Sequence, residues 1–233
     1  MLKYPKIIRE FHVERSPGHI MTYPFTTYTQ IFEKDNRPNF QRLCKYFRSV
    51  IRYGVPERAG KGSVSQQPKL MIETEYIDSP LVDFANKSDY YGMGMKQHDR
   101  VQEYMHEHNP FTFATEIPVW SEVEELIGKS QFDGEIIECI YWERDRNKCN
   151  DCMEEFCKRH VKCHHLLHGH IDGLDYMPDD KILVWDFKPN AEKETKAASQ
   201  VRRYMSLLSL RTGILIEDMT GVYFDGSYAY QLI

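Results

Sequence analysis

The chain has 233 residues, enough for one sizeable core with an appendage. Hydrophobic residues at 41% and charged residues at 28% fit a globular protein, and no apolar run is long enough to cross a bilayer. A net charge of −5 excludes a generally basic, DNA-coating protein, and the first residues lack the apolar stretch of a signal peptide, so a cytoplasmic location is expected.

Residues 1–90 read as a helical or irregular segment that packs on a core spanning 91–233. Its one clear helix is 40–53, where Leu43, Phe47 and Ile51 oppose Arg42, Lys45, Arg48 and Arg52. That basic row is by default a solvated face. Residues 57–67 form a linker or loop, 70–77 a strand, and 83–91 a turn or short helix. A second helix over 95–105 offers Met95, Val101, Tyr104 and Met105 for burial and carries His98 near its start.

Residues 144–167 hold Cys149, Cys152, Cys157 and Cys163, followed by several histidines. Four cysteines this close, in a chain expected inside the cell, favour a metal over disulfides. The spacing suits tetrahedral Zn²⁺, with His160 or His164 able to replace one thiolate. Lys158, Arg159 and Lys162 sit within the same stretch.

The strongest chemistry follows. Residues 169–174 and 181–187 read as two strands joined by the Pro178-Asp179-Asp180 turn. Their pairing brings Asp172 near Asp186. Residues two apart in a strand share a face, so Asp186 and Lys188 project together while Phe187 turns into the core. Two carboxylates, a carbonyl and waters suit Mg²⁺, and an imidazole shifts preference toward Mn²⁺. An Asp-x-Lys triplet alone is common on solvated strands. A helix over 195–210 then puts Gln200 and Tyr204 one turn apart on a single face. Residues 221–225 and 228–232 form a closing hairpin.

The order Gly94-x-x-x-His98, Gly169-His170-Ile171-Asp172, Asp186-Phe187-Lys188 and Gln200-x-x-x-Tyr204 resembles the PD-(D/E)XK nuclease superfamily. It is most similar to the RecB-like branch, which includes CRISPR-associated exonucleases, and the likeness covers roughly residues 90–230. The resemblance implies His98, Asp172, Asp186 and the backbone carbonyl of Phe187 as ligands of Mg²⁺ or Mn²⁺. It implies Lys188 as the catalytic lysine, supported by Gln200 and Tyr204. Glu116 falls in the strand that opens the family's sheet and is expected to be structural. Some relatives carry an iron–sulfur cluster, with one early cysteine and three after the Gln-x-x-x-Tyr motif. Here Cys44 resembles the early cysteine but none follows Tyr204, so zinc in the insertion is favoured.

The expected fold is α/β: a mixed central sheet flanked by helices, with a small Cys-rich metal-binding insertion. The expected function is a divalent-metal-dependent deoxyribonuclease acting as an exonuclease or in end processing, on single strands or duplex ends. Repair, recombination, CRISPR adaptation and viral replication all use such chemistry. The rival readings are a non-catalytic nucleic-acid-binding module and a zinc-organised partner-docking subunit.

Overall fold

The computed structural model describes residues 6–16, 19–28, 36–55, 63–92, 94–121 and 167–233; for 11–16, 19–23 and 28 it describes the backbone alone. Its centre is a mixed sheet built from β1 (Lys6–Ser16), β2 (His19–Tyr28), β3 (Thr74–Tyr76), β4 (Thr112–Ser121), β5 (Leu167–Tyr176), β6 (Ile182–Phe187), β7 (Met219–Phe224) and β8 (Ala229–Leu232). The strand order is β1-β2-β4-β5-β6-β7-β8-β3, and only β6 and β7 run parallel. The helices are α1 (Pro38–Tyr53), α2 (Pro80–Ser88), α3 (Gln97–His108) and α4 (Ala197–Thr212). The expected α/β class with a mixed sheet is therefore the observed one. Among the described residues no helix is long and apolar enough to cross a membrane.

Alternation along β6 and β7 divides the core in two. Val184 and Tyr223 pack with Val201, Tyr204 and Leu208 of α4 and with Leu43, Phe47 and Val50 of α1. Trp185, Phe187, Val222 and Phe224 face the other way, toward Leu81 and Ala85 of α2 and Val101 and Met105 of α3. Each strand face thus meets its own helical layer. Helix α4 also supplies the crossover that two adjacent parallel strands require.

Two polar clusters fix the helices. Buried Asp175 accepts from Asn109 Nδ2 (2.7 Å), Thr112 Oγ1 (2.6 Å) and Trp185 Nε1 (2.7 Å), tying the end of α3 to three strands. Helix α1 has no side-chain cap of its own, since Arg37 occupies that position. Asp180, from the β5–β6 turn, substitutes: its carboxylate accepts from the Asn39 and Phe40 amides and from Tyr176 Oη at 2.7 Å. A carboxylate at a helix N-terminus meets both the unpaired amides and the positive end of the dipole.

The N-terminal region departs from expectation. Lys6–Ser16 and His19–Tyr28 pair antiparallel as β1 and β2, and together with β3 the part before residue 91 contributes three strands to the one sheet. It is not merely helical or irregular cover. Pro24 inside β2 weakened the strand signal; in the sheet it pairs with Glu10 of the edge strand. The strand expected over 70–77 shortens to Thr74–Tyr76. Met95 lies ahead of α3 and is 40% exposed, so it is not part of the buried stripe. The later half of the expected linker packs, with Val64 buried in a short 3₁₀ turn.

Candidate metal centre

Helix α3 begins at Gln97, after Gly92 and Gly94 take left-handed φ values of 56° and 97°. This turn aims the first helical residues at the sheet. His98 Nε2 lies 2.9 Å from Asp172 Oδ2, and its Nδ1 lies 3.9 Å from Glu116 Oε1. His98, Glu116 and Asp172 each offer a ligand atom within 4.8 Å of the others. Asp172 Oδ2 also accepts from the Phe187 amide at 2.8 Å, which locks it to the start of the Asp186–Lys188 segment.

Glu116 belongs to this group, contrary to the structural place expected for it. It sits in the middle of β4 with φ 51°, a left-handed conformation that costs a non-glycine residue about 1–3 kcal/mol. The sheet register brackets it: Thr115 faces Gly173 and Ile117 faces Ile171. Ala114 and Ile117 both enter the α4-side core, so the local twist at Glu116 resets the alternation. Gln102, one turn after His98, donates to Glu116 Oε1 at 2.7 Å and to the Asp172 carbonyl at 3.3 Å. The other oxygen, Oε2, is buried with no hydrogen-bond partner.

Asp186 is fully buried at the end of β6. Lys188 Nζ lies 2.5 Å from its Oδ2, a charge-assisted contact, while Oδ1 is buried with no hydrogen-bond partner. Gln200 Nε2 donates to Tyr204 Oη at 2.7 Å, so the two residues expected to act together do touch. A Cβ at Gly169 would stand 2.4 Å from Tyr204 Cε1; only glycine lets this ring press against β5.

The electrostatics express crowding. Burial, and then the charge of Asp172, push Glu116 up to about 7. Burial and the same charge push Asp186 up to about 7. Asp172 goes the other way, to about 2: burial opposes ionisation, but His98, Lys188 and the Phe187 amide outweigh it. The Asp172 charge raises His98 to about 10 against the effect of burial. Burial also opposes the charge on Lys188, and the two aspartates more than offset it, leaving the ammonium protonated. Burial holds the Tyr204 phenol neutral. Three carboxylates thus compete for the positive charge within reach.

No protein-family model, curated protein or solved structure matches this chain.

The donor set suits a hard divalent cation: two or three carboxylates and one imidazole, with buried oxygens of Glu116 and Asp186 left without donors. Of the expected site residues, His98, Asp172, Asp186 and Lys188 form one connected group, and Gln200 and Tyr204 form a bonded pair on the adjoining helix. Phe187 contributes its amide to Asp172, while its side chain is buried on the α3 side. Arg203, next to Tyr204 on α4, is buried and donates to the Pro68 carbonyl at 2.6 Å. Cys149, Cys152, Cys157, Cys163, His160 and His164 lie outside the described residues.

Proposed function

We propose that this chain is a divalent-metal-dependent nuclease of the PD-(D/E)XK type, similar to the RecB-like branch, that hydrolyses DNA phosphodiester bonds. The observation that carries the reading is the meeting of His98, Glu116 and Asp172 beside an Asp186–Lys188 ion pair, with buried carboxylate oxygens lacking donors. Buried carboxylates crowded in this way cost stability, and such groups concentrate where chemistry needs them.

His98, Glu116, Asp172 and Asp186 would hold Mg²⁺ or Mn²⁺, with the Phe187 carbonyl as a further oxygen. Bound there, the cation would supply Lewis-acid chemistry, polarising the scissile phosphate and acidifying the attacking water. The residues do the rest. Lys188 stays protonated at neutral pH, so it serves as a fixed positive charge for the developing phosphorane rather than as a base. Asp186 holds that ammonium in place. Gln102 holds Glu116 by one oxygen and leaves the other for the cation. Tyr204 and Gln200, bonded to each other, offer a neutral hydroxyl and an amide to the phosphate. The Cys-rich insertion is read as a zinc module that contacts DNA or a partner, with an iron–sulfur cluster as the alternative occupant.

The test is cleavage of end-labelled single- and double-stranded DNA with Mn²⁺, Mg²⁺ or EDTA, comparing wild type with Lys188→Ala. Metal-dependent cleavage that disappears in the variant supports the reading, and the product ladder separates exonuclease from endonuclease action. Equal cleavage by both proteins, or none with any metal, overturns it.

A further inference from the structure

A line of side chains runs outward from the acidic centre across the sheet. Asp186 of β6 is level with Tyr223 of β7, Tyr223 with Tyr230 of β8, and Tyr230 with Tyr76 of β3. Cross-strand partners project to the same face, so one carboxylate and three tyrosines form a single row. With strands about 4.8 Å apart, Tyr230 stands roughly 10 Å and Tyr76 roughly 14 Å from Asp186. A Cβ on Gly221, two residues before Tyr223, would meet Val201 and Met205, so the row lies on the α4 side.

The row opens to solvent as it leaves Asp186. Tyr223 is buried and stacks on Tyr230, with centroids 5.2 Å apart and planes at 20°. Tyr230 is half-buried. Tyr76 is 62% exposed and meets Tyr230 edge-on at 6.2 Å. Tyr228, also exposed, adds a fourth ring against both.

Charge around the row is arranged by the same alternation. Thr74 and Leu232 share its face, whereas Glu75 and Gln231 pair on the opposite one. The carboxylates near Tyr230 are Glu192 and Asp225, and Asp225 is occupied by the amides of Ala191, Ser227 and Tyr228. The helices on this side, α1 and α4, carry six Lys or Arg besides the buried Arg203 and no Asp or Glu. Those on the other side, α2 and α3, carry four Asp or Glu against two Lys or Arg. In a chain of net charge −5, the helix layer on the row's side of the sheet is the basic one.

We propose that Tyr230 and Tyr76, with Tyr228 beside them, form a stacking platform for the unpaired bases next to the bond cleaved, so that the substrate is single-stranded at this site. The proposal rests on the nuclease reading and names its substrate form. An aromatic face accepts any base, which gives affinity without sequence preference. A duplex keeps its bases stacked on one another and cannot offer their faces. A cationic peptide would seek the acidic helices α2 and α3, which cover the opposite face. The basic layer attracts the phosphates.

Binding of a fluorescently labelled oligothymidylate in EDTA tests this without cleavage. Tyr76→Ala and Tyr230→Ala should each weaken binding roughly tenfold, from the usual strength of one base–aromatic stack. Tyr76→Phe, which keeps the ring, should bind like wild type. Tyr76 is exposed, so its variants should melt like wild type. A matching duplex should bind more weakly and respond less to these changes. Unchanged single-strand affinity in both alanine variants overturns the platform, as does an equal loss for the duplex. Tyrosine-dependent binding without any cleavage leaves the platform standing and removes the nuclease reading instead.

Discussion

Replacing Glu116 with Gln removes one of three crowded carboxylates while keeping its shape and its bond from Gln102. Glu116 rises from 4.5 to about 7, first through burial and then through the Asp172 charge. At about 1.4 kcal/mol per unit, ionised Glu116 costs the metal-free fold up to roughly 3 kcal/mol. The unfolded chain loses this proton first, so the cost is absent below pH 4.5 and grows as pH rises through about 7. Metal-free Glu116→Gln should therefore be more stable than wild type above neutrality, by as much as ~3 kcal/mol, with the difference fading in acid. The same change removes a ligand of the proposed metal site. Mn²⁺ should raise the melting temperature of wild type and raise that of the variant much less, because stabilisation by a ligand scales with its affinity for the folded state. Urea melts in EDTA at about pH 5 and about pH 8, followed by thermal melts with Mn²⁺, measure both effects. A variant less stable than wild type at the higher pH, or an equal Mn²⁺ shift in both proteins, would refute the assignment of Glu116 as a strained, charge-crowded ligand.

Asp175→Ala strands three buried donors, on Asn109, Thr112 and Trp185, so a urea melt should show a loss of at least ~3 kcal/mol. Asp180→Ala removes the remote cap of α1 and should cost about 1 kcal/mol in the same assay. Burial, and then Lys6, lower His106 to about 4, so the unfolded state takes up a proton first as pH falls. Protonation of His106 should cost the fold at most ~3 kcal/mol between pH 6.5 and 4, opposing the gain from Glu116, and His106→Gln should remove that cost, read as the difference between the two pH–stability curves.

Much of the centre was legible because its logic is local. Asp172 and Asp186 lie on strands joined by a short turn, Lys188 is two residues from Asp186, and Gln200 and Tyr204 are one helical turn apart. Period and turn chemistry suffice for each. Glu116 was set aside because a strand residue gains its meaning from the partner strand. The signal available was a lone carboxylate in an otherwise apolar run, Phe113 to Val119, where a charge must find a role. Gln102 was also within reach, four residues from His98 and hence on its face. The tyrosine row could not be found without registers, since its members come from strands far apart in the chain. Tertiary pairing, which periodicity does not encode, decides such sites.

The centre's cost is met by bonds placed away from it. Glu116 holds a left-handed backbone, and Asp186 is a fully buried carboxylate whose Oδ1 lacks a donor. Neither would persist on a loose frame. The Asp175 cluster clamps the far end of α3 to β4, β5 and β6, so the helix that carries His98 cannot retreat from the carboxylates. The Asp180 cap clamps α1 to the turn that sets the β5–β6 register, and that register puts Asp172 under the Phe187 amide. Both clamps use fully engaged carboxylates, whereas the centre keeps its oxygens underused. Satisfied acids therefore build the frame, and the underused acids cluster at the proposed metal site.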